Sequence, residues 1–516
     1  MDNLQADATR LHIAGRKQFF FDDLIIESVQ NLTRRVHSPQ KVEGPLIQKD
    51  QPWERVTYFT CSSWRVIRDP DDNLFKCWYE DWQMHPDRLP ETGGSFHDPS
   101  HYPSRYLFAQ SGDGIHWEKP QLDVYEEGGR RTNIVLGDRQ FRGEFGSVHS
   151  GYVFHDVLEE DKDKRFKILF EHCTPQGSDY RYAASPDGIH WKPWGEEPRV
   201  GWWGPHLGDV LTITLDLSER SYVLNTRHRF MGSGWVEPNS PVFKHFSAPY
   251  YPGQPWRNNK RRIFQARSAD LINWSEPEPI VVPDDDLDNI DDHFYGMNQY
   301  DIGGMWVGFL NVFHQVDNTM DVQLLYSRDG RVFHRLLPGQ PWLATGQPGS
   351  WDQFMVNAYG GPVAVDDELY IYYGGAKNHH DWWIVGANEG LDVPEASNMD
   401  EVSYCLGLAR MKADRFVSLS ANAVRSGILV TKPFYTEGGK LLINAQCNEG
   451  GSIQVEVAGG DGKVLDGYRR DECVAFTGNE TSYMLSWKSN DQLPDGWLKL
   501  YFYISNADLF TFQLKG

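Results

Sequence analysis

An all-β fold is what this sequence predicts, on three observations. A strand–turn–strand phrase recurs along the chain. Turn residues are plentiful, with 48 Gly and 29 Pro among 516 residues. Aromatics are plentiful too, with 19 Trp, 24 Tyr and 27 Phe. Aromatic side chains suit a pleated, half-buried surface, and Gly and Pro punctuate it with turns. No segment carries three turns of amphipathic helical periodicity.

The phrase reads YLFAQSGDGIHW at Tyr106–Trp117 and YAASPDGIHW at Tyr182–Trp191. It returns as FQARSADLINW at Phe264–Trp274 and LLYSRDGRVFH at Leu324–His334, with a degraded copy, LARMKADRFVSL, at Leu408–Leu419. Its Ser-x-Asp-Gly core predicts a tight turn, because Gly accepts positive φ and Asp bonds its own backbone. A second hairpin precedes each copy: Trp64–Glu80, Gly151–Cys173, Leu211–His228, Tyr295–His314 and Gly360–Ala376. Two hairpins make a four-stranded unit, and five such units in sequence predict a five-bladed β-propeller. From about Ser426 the pattern changes to short alternating strands between Gly-rich turns, which predicts a C-terminal β-sandwich. The expected division is a strand and lead-in over residues 1–50, packed on the propeller, then the propeller over 51–423 and the sandwich over 424–516.

The formal net charge of −22 argues against a nucleic-acid partner, which needs basic stripes, and does not penalise an uncharged sugar. No apolar run approaches the length of a membrane span, so no membrane partner is expected. The N-terminus shows no apolar signal core. The sequence as it stands reads as cytoplasmic, or as periplasmic or secreted if a signal peptide has been removed. The six cysteines form no CxxC and are expected to be reduced, buried thiols. There is no GxGxxG after a strand, no GxxxxGK[ST] and no GxSxG, which sets aside nucleotide binding and α/β-hydrolase chemistry.

This layout resembles the five-bladed propeller glycoside hydrolases of families 32, 43 and 117, and the family 32 enzymes also carry a C-terminal sandwich. Arg68-Asp69-Pro70 matches the family 32 RDP triplet in letters but sits in a hairpin turn, and is read as turn chemistry. The Ser-x-Asp-Gly phrase also resembles the Asp-box of sialidases, a structural turn remote from their site. The resemblance implies hydrolysis of a carbohydrate in the propeller funnel, exo-acting on plant or algal oligosaccharides. A non-catalytic sugar-binding propeller and a phosphorylase-type enzyme are the alternatives. The latter would draw on Arg227 or Arg34-Arg35 for phosphate.

Glycoside hydrolysis needs an acid at the leaving oxygen and a carboxylate as base or nucleophile. An acid precedes the inner strand of every unit: Glu54, Glu144, Asp209, Asp292 and Asp352. The resemblance implies a trio from the first three blades, which by position are Glu54, Glu144 and Asp209, with Asp23 as a rival for the first. Family 117 enzymes use a His acid, which brings in His206 and His293, and His149 lies near Glu144. Asp209 and Asp292 are expected to be essential, since each begins an apolar inner strand beside His or Gly. Arg227, with His228, is expected to meet a sugar carboxylate or to orient an acid. Trp203 and Trp382-Trp383 are expected in loops as sugar platforms, and His379, beside His380, as a pocket residue. No HExxH pattern supports a metal site, and no cofactor is required. A structural Ca²⁺ or Na⁺ in the channel is compatible with the fold. DDDLDNIDD (Asp284–Asp292) lacks the Gly and Glu of a calcium loop and reads as a solvated loop.

Overall fold

The computed structural model describes residues 11–13, 15–83, 104–137, 147–174, 177–195, 210–228, 260–284, 286–289 and 291–516. Within them the chain is five antiparallel blades and a C-terminal β-domain. From inside outward, blade one is Trp64–Arg68, Phe75–Trp82, Ser104–Ser111 and Ile134–Leu136. Blade two is Ser147–His155, Phe166–Thr174, Gly177–Ser185 and Lys192–Pro193. Blade three is Leu211–Asp216, Ser221–His228, Arg262–Ser268 and Glu278–Val281. Blade four is Asp292–Asp301, Trp306–His314, Thr319–Ser327 and His334–Arg335. Blade five has Pro362–Val365, Glu368–Ala376 and Tyr404–Lys412, and borrows its outer strand, Gln40–Lys41, from the start of the chain. That borrowed strand closes the circle, and Lys41 locks it with a 2.6 Å ion pair to buried Asp352.

The repeated phrase is the turn after the third strand, and its polar residues fold it locally. In blade one, Asp113 Oδ1 accepts the amides of Ile115 and His116 at 2.8 Å each, and the Gly114 amide donates to Ser111 Oγ at 2.9 Å. Asp187, Asp270 and Asp329 accept the two equivalent amides at 2.7–2.9 Å. Three of these turns also reach a neighbouring blade. Trp78 Nε1 of blade one donates to the Gly188 carbonyl of blade two at 2.6 Å. Tyr372 OH of blade five donates to Gly114 O at 2.8 Å, and Gln265 of blade three donates to Gly330 O at 3.0 Å. The phrase is therefore a staple between blades, placed at the end of the channel opposite the starts of the inner strands. Arg68-Asp69-Pro70 belongs to a comparable tie: buried Asp69 takes a two-pronged contact from Arg165 of blade two at 2.7 and 2.8 Å.

The channel is filled. Arg65 reaches inward from blade one and donates to Tyr300 OH at 3.3 Å and Tyr359 O at 3.2 Å, on the inner sides of blades four and five. Its guanidinium also lies 5.2 Å from the ring centre of Tyr152 in blade two. Side chains from three blades and a backbone carbonyl from a fourth thus meet on the axis, and the positive charge there belongs to the chain itself. Among the described residues no group of three or more His, Cys, Asp or Glu is arranged to hold a metal ion.

The described residues between 11 and 50 do not form a lead-in packed on the propeller alone. Gln18–Phe19, Ile26–Gln30 and Thr33–Val36 pair with C-terminal strands Leu493–Lys515, Gly427–Thr431 and Val417–Ala421. The reason is strand alternation. Phe20 points into the C-terminal core with Leu429, Ile443, Val455 and Phe512, while Phe19 and Phe21 pack on Met305, Val307 and Phe309 of blade four. One short segment therefore cements both domains. Val417–Ala421, expected within the propeller, also belongs to the C-terminal sheet. Trp382-Trp383, expected in a loop, opens the short helix Trp382–Glu389. No helix among the described residues is long and apolar enough to cross a membrane.

Candidate functional site

All five inner strands start at one end of the channel, and their partner strands end there. This mouth gathers buried polar side chains in an otherwise apolar setting, which is the arrangement that marks sites. Glu80 lies on Phe75–Trp82, one residue beyond the Tyr79 that pairs with Trp64. His149 is the third residue of Ser147–His155, just before a bulge at which Ser150 takes φ 49°. The bulge re-aims the strand so that both groups meet Glu80. His149 Nδ1 lies 2.8 Å from Glu80 Oε1, and the Ser150 amide donates to Oε2 at 3.1 Å. The Glu80 side chain is 0% exposed and that of His149 is 17% exposed. An ionised carboxylate only accepts, so Nδ1 carries the proton and Nε2 is the basic nitrogen. Nε2 lies 3.1 Å from Ser150 Oγ.

From this pair an arc of contacts runs around the mouth. The His149 ring meets Trp82 edge to face at 5.2 Å, and Trp82 stacks on Tyr58 at 4.5 Å. Tyr58 meets Tyr404 of blade five at 5.3 Å and lies 3.7 Å from the Cys61 sulfur. Tyr404 OH and Trp383 Nε1 both donate to the His380 carbonyl, at 2.7 and 2.9 Å. His380 Nε2 lies 2.6 Å from Tyr295 OH of blade four, and the Tyr295 ring carries the guanidinium of Arg227 from blade three at 3.6 Å. Every blade contributes to the arc. Burial pushes the Tyr58 and Tyr404 hydroxyls well above their ordinary range, so both stay protonated donors at neutral pH.

Of the residues singled out from sequence, the arc includes His149, Arg227, His380 and Trp383. His293 lies beside it, with its Nδ1 accepting the Arg261 amide at 3.1 Å. Glu144, Trp203, His206 and Asp209 lie outside the described residues. The remaining five are engaged elsewhere. Glu54 is buried and saturated by Tyr79 OH at 2.7 Å, Lys119 at 2.8 Å and two backbone amides at 2.9 Å. Asp23 is exposed and ion-paired with Arg34, next to the C-terminal sheet, which also takes Arg34 away from the mouth. Asp352 is the anchor of Lys41. His379 is sandwiched between Phe354 and Trp382 at 3.8 and 4.1 Å, with Nδ1 on Glu395 at 2.5 Å.

Asp292 is the instructive case. It starts an inner strand as expected, but its side chain is 0% exposed and lies 2.7 Å from His314 of the next strand. His314 in turn reaches Asp321 at 3.0 Å, and the Asn289 amide donates to Asp292 at 3.0 Å. Burial opposes charge on His314, yet the two carboxylates outweigh it and raise its pKa to about 10. Burial likewise works against ionisation of Asp292, and His314 still holds it below the usual carboxylate range. Asp292, His314 and Asp321 thus form a charged cluster of their own.

Glu80, Trp82, Tyr58 and Tyr295 were not singled out from sequence. The available signal was the pair Glu80-Asp81 inside FKCWYEDW, a strand whose eight residues are all buried. Asp81 accepts the Arg55 amide at 2.8 Å, and burial raises its pKa to about 7, against the pull of Arg105. At the opposite end of the channel, two open clefts of about 320 and 480 Å³ lie among the staple turns. Among the charges lining them, Lys167 pairs with Glu159 and Arg331 with Glu219.

No protein-family model matches the chain, and no curated protein does. Solved structures similar in layout include a glycosyl hydrolase from Bacteroides ovatus, at 14% identity and TM-score 0.46 over 74% of this chain and 95% of that one. Another is a β-1,2-mannobiose phosphorylase from Listeria innocua in complex with β-1,2-mannobiose, at 12% identity and TM-score 0.46 over 73% and 97%. A third is a thermostable family-43 glycoside hydrolase, at 12% identity and TM-score 0.42 over 72% and 95%. At such identities and scores the site has to be read from this chain's own residues.

Proposed function

We propose that this chain is a carbohydrate-active propeller enzyme that hydrolyses a glycosidic bond at the mouth of its channel. The observation that carries the reading is the buried Glu80–His149 pair set against the stacked rings of Trp82 and Tyr58. In this reading His149 acts as the acid in its imidazolium form, with Nδ1–H held by Glu80, and gives the second proton, on Nε2, to the leaving oxygen as the C–O bond breaks. Glu80 is a positioning residue that fixes the tautomer and steadies the imidazolium. A water then adds hydroxide to the anomeric carbon and gives its proton to a carboxylate, for which we keep Asp209, the candidate read from sequence. The stacked rings of Trp82 and Tyr58, both buried, form an apolar wall behind the His149 imidazole. The axial plug of Arg65, Tyr152 and Tyr300 closes the channel beneath the site, in keeping with the exo action we propose; plant or algal oligosaccharides are the substrates proposed.

The test is a screen of aryl-glycosides and plant and algal oligosaccharides, with and without phosphate, on wild type and His149→Ala. The expected result is turnover of at least one sugar, lost by about 100-fold or more in the variant. Turnover unchanged in His149→Ala would overturn the assignment. Strict phosphate dependence would recast the reaction as phosphorolysis.

A further inference from the structure

One sheet of the C-terminal β-domain is tied to the propeller: Trp342 of blade four donates to the His37 carbonyl at 2.7 Å, and the His37 ring meets Phe510 at 5.0 Å. The other sheet sets Leu493–Lys515 between Gly427–Thr431 and Phe434–Gly459. Alternation splits its residues cleanly. Leu498, Leu500, Phe502 and Ile504 are buried in the domain core, while Trp497, Lys499, Tyr501 and Tyr503 face outward. Strand residues two apart lie about 6.6–6.8 Å from one another, so the outward rings make a row along the strand. Tyr435, paired in register with Trp497, adds a ring edge to face at 5.9 Å. Within the described residues the Trp497 indole N–H and the Tyr501 hydroxyl make no hydrogen bond to the chain. Acceptors stand beside them. Glu456, in register with Tyr501, takes Tyr503 OH at 3.2 Å, and Asp495 takes Tyr435 OH at 3.0 Å. The neighbouring cations are engaged: Lys499 pairs with Glu27 at 2.6 Å, and Arg470 lies over the Tyr503 ring at 4.3 Å. Ring surface, hydrogen-bonding edges and matched charges fit an uncharged polyhydroxylated chain better than a phosphate. The area points the same way. Trp497 is 40% exposed and the three tyrosines less. Rings of about 150–250 Å² each then leave at most about 400 Å² open, against about 800 Å² per partner in a stable protein complex. The row is short for a second copy of the chain and long enough for a few sugar rings.

We infer that the outer face of the C-terminal β-domain, built on Trp497, Tyr501 and Tyr435, binds a neutral glycan chain along the strand, apart from the channel mouth. The face holds a polymer whose end the mouth trims. In that role it rests on the proposed function, but its binding is read without turnover.

The experiment is affinity electrophoresis of the full chain in native gels cast with arabinan, galactomannan or laminarin. It compares wild type, Trp497→Ala, Tyr501→Ala, Tyr501→Phe and His149→Ala, each with an unfolding midpoint. The expected result is that at least one polymer retards wild type and His149→Ala alike. Either Trp497→Ala or Tyr501→Ala weakens the Kd about 3- to 10-fold, the range of one ring contact. Tyr501→Phe keeps the ring but not the hydroxyl, and is expected to fall between wild type and Tyr501→Ala. No retardation by any of the three polymers, or retardation unchanged in both ring-to-Ala variants, overturns the inference. Retardation lost in His149→Ala but kept in Trp497→Ala belongs to the mouth and also overturns it. A dimer in sedimentation that Trp497→Ala dissociates gives the face to a second copy and overturns it too. If no glycoside is cleaved but retardation still depends on Trp497, the enzymatic reading fails and the binding face stands. If glycosides are cleaved with no retardation, the reverse holds.

Discussion

Asp292→Asn separates a structural carboxylate from a catalytic one. In the structure Asp292 is wholly buried and holds His314 at 2.7 Å, while His314 keeps a second carboxylate, Asp321, at 3.0 Å. The change replaces one charge-assisted hydrogen bond by a neutral one and leaves the ring with one anion. A hydrogen bond to a charged group is worth about 1.5–3 kcal/mol, and that is the expected loss of stability. The pH dependence carries a definite sign. His314 is raised from 6.5 to about 10, so its contribution is complete below pH 6.5 and fades as pH climbs toward 10. Asp292 is lowered, so its contribution is present above its ordinary 3.8 and disappears as pH falls through the folded value. The gap between wild type and variant is therefore widest from about pH 4.5 to 6.5 and shrinks by about pH 10. Urea unfolding at pH 6 and pH 9.5, read as midpoint shifts at unchanged slope, measures both. A variant with wild-type midpoints at both pH values and no turnover would refute this and return Asp292 to the catalytic list.

Two further predictions concern the frame. Gly188 has φ 80°, and a Cβ there would sit 2.3 Å from the fully buried Trp78 ring. Gly188→Ala is thus expected to cost about 3–5 kcal/mol from strained backbone, overpacking and a weakened staple. Gly128→Ala, with φ 59° and nothing within 4 Å, is expected to cost only about 1–2 kcal/mol. Equal unfolding midpoints for the two would refute the staple. Lys41 and Asp352, 2.6 Å apart, are expected to couple by about 1–2 kcal/mol in a double-mutant cycle of Lys41→Met and Asp352→Asn. A coupling near zero would mean that the ion pair does not hold the borrowed strand.

The blades were legible because their signals are local. Ser-x-Asp-Gly folds through contacts two and three residues apart, as Asp113 with Ile115 and His116 does. The hairpin read at Leu211–His228 resolves into Leu211–Asp216 and Ser221–His228. What escaped was non-local. Gln40–Lys41 is two residues long, and nothing in its letters says that it pairs with a strand more than 360 residues away. Candidate acids were sought just before each inner strand, where Glu54 and Asp352 prove to be tied up by lysines. Alternation separates Asp292, bound outward to His314, from its neighbour His293. Glu80 was missed because it lies on a second strand. Its burial within FKCWYEDW was the clue, since an unexplained acid in an apolar strand needs a partner.

The central claim is that acid–base chemistry runs through His149 as positioned by Glu80. The most direct measurement is the pH profile of kcat for Glu80→Gln on the best glycoside from the screen, beside an unfolding midpoint for the same protein. The account predicts a fall in kcat of about 100-fold or more, together with a displaced limb of the profile as His149 loses its carboxylate. Unchanged kcat with an unchanged profile, in a protein folded as wild type, would contradict it.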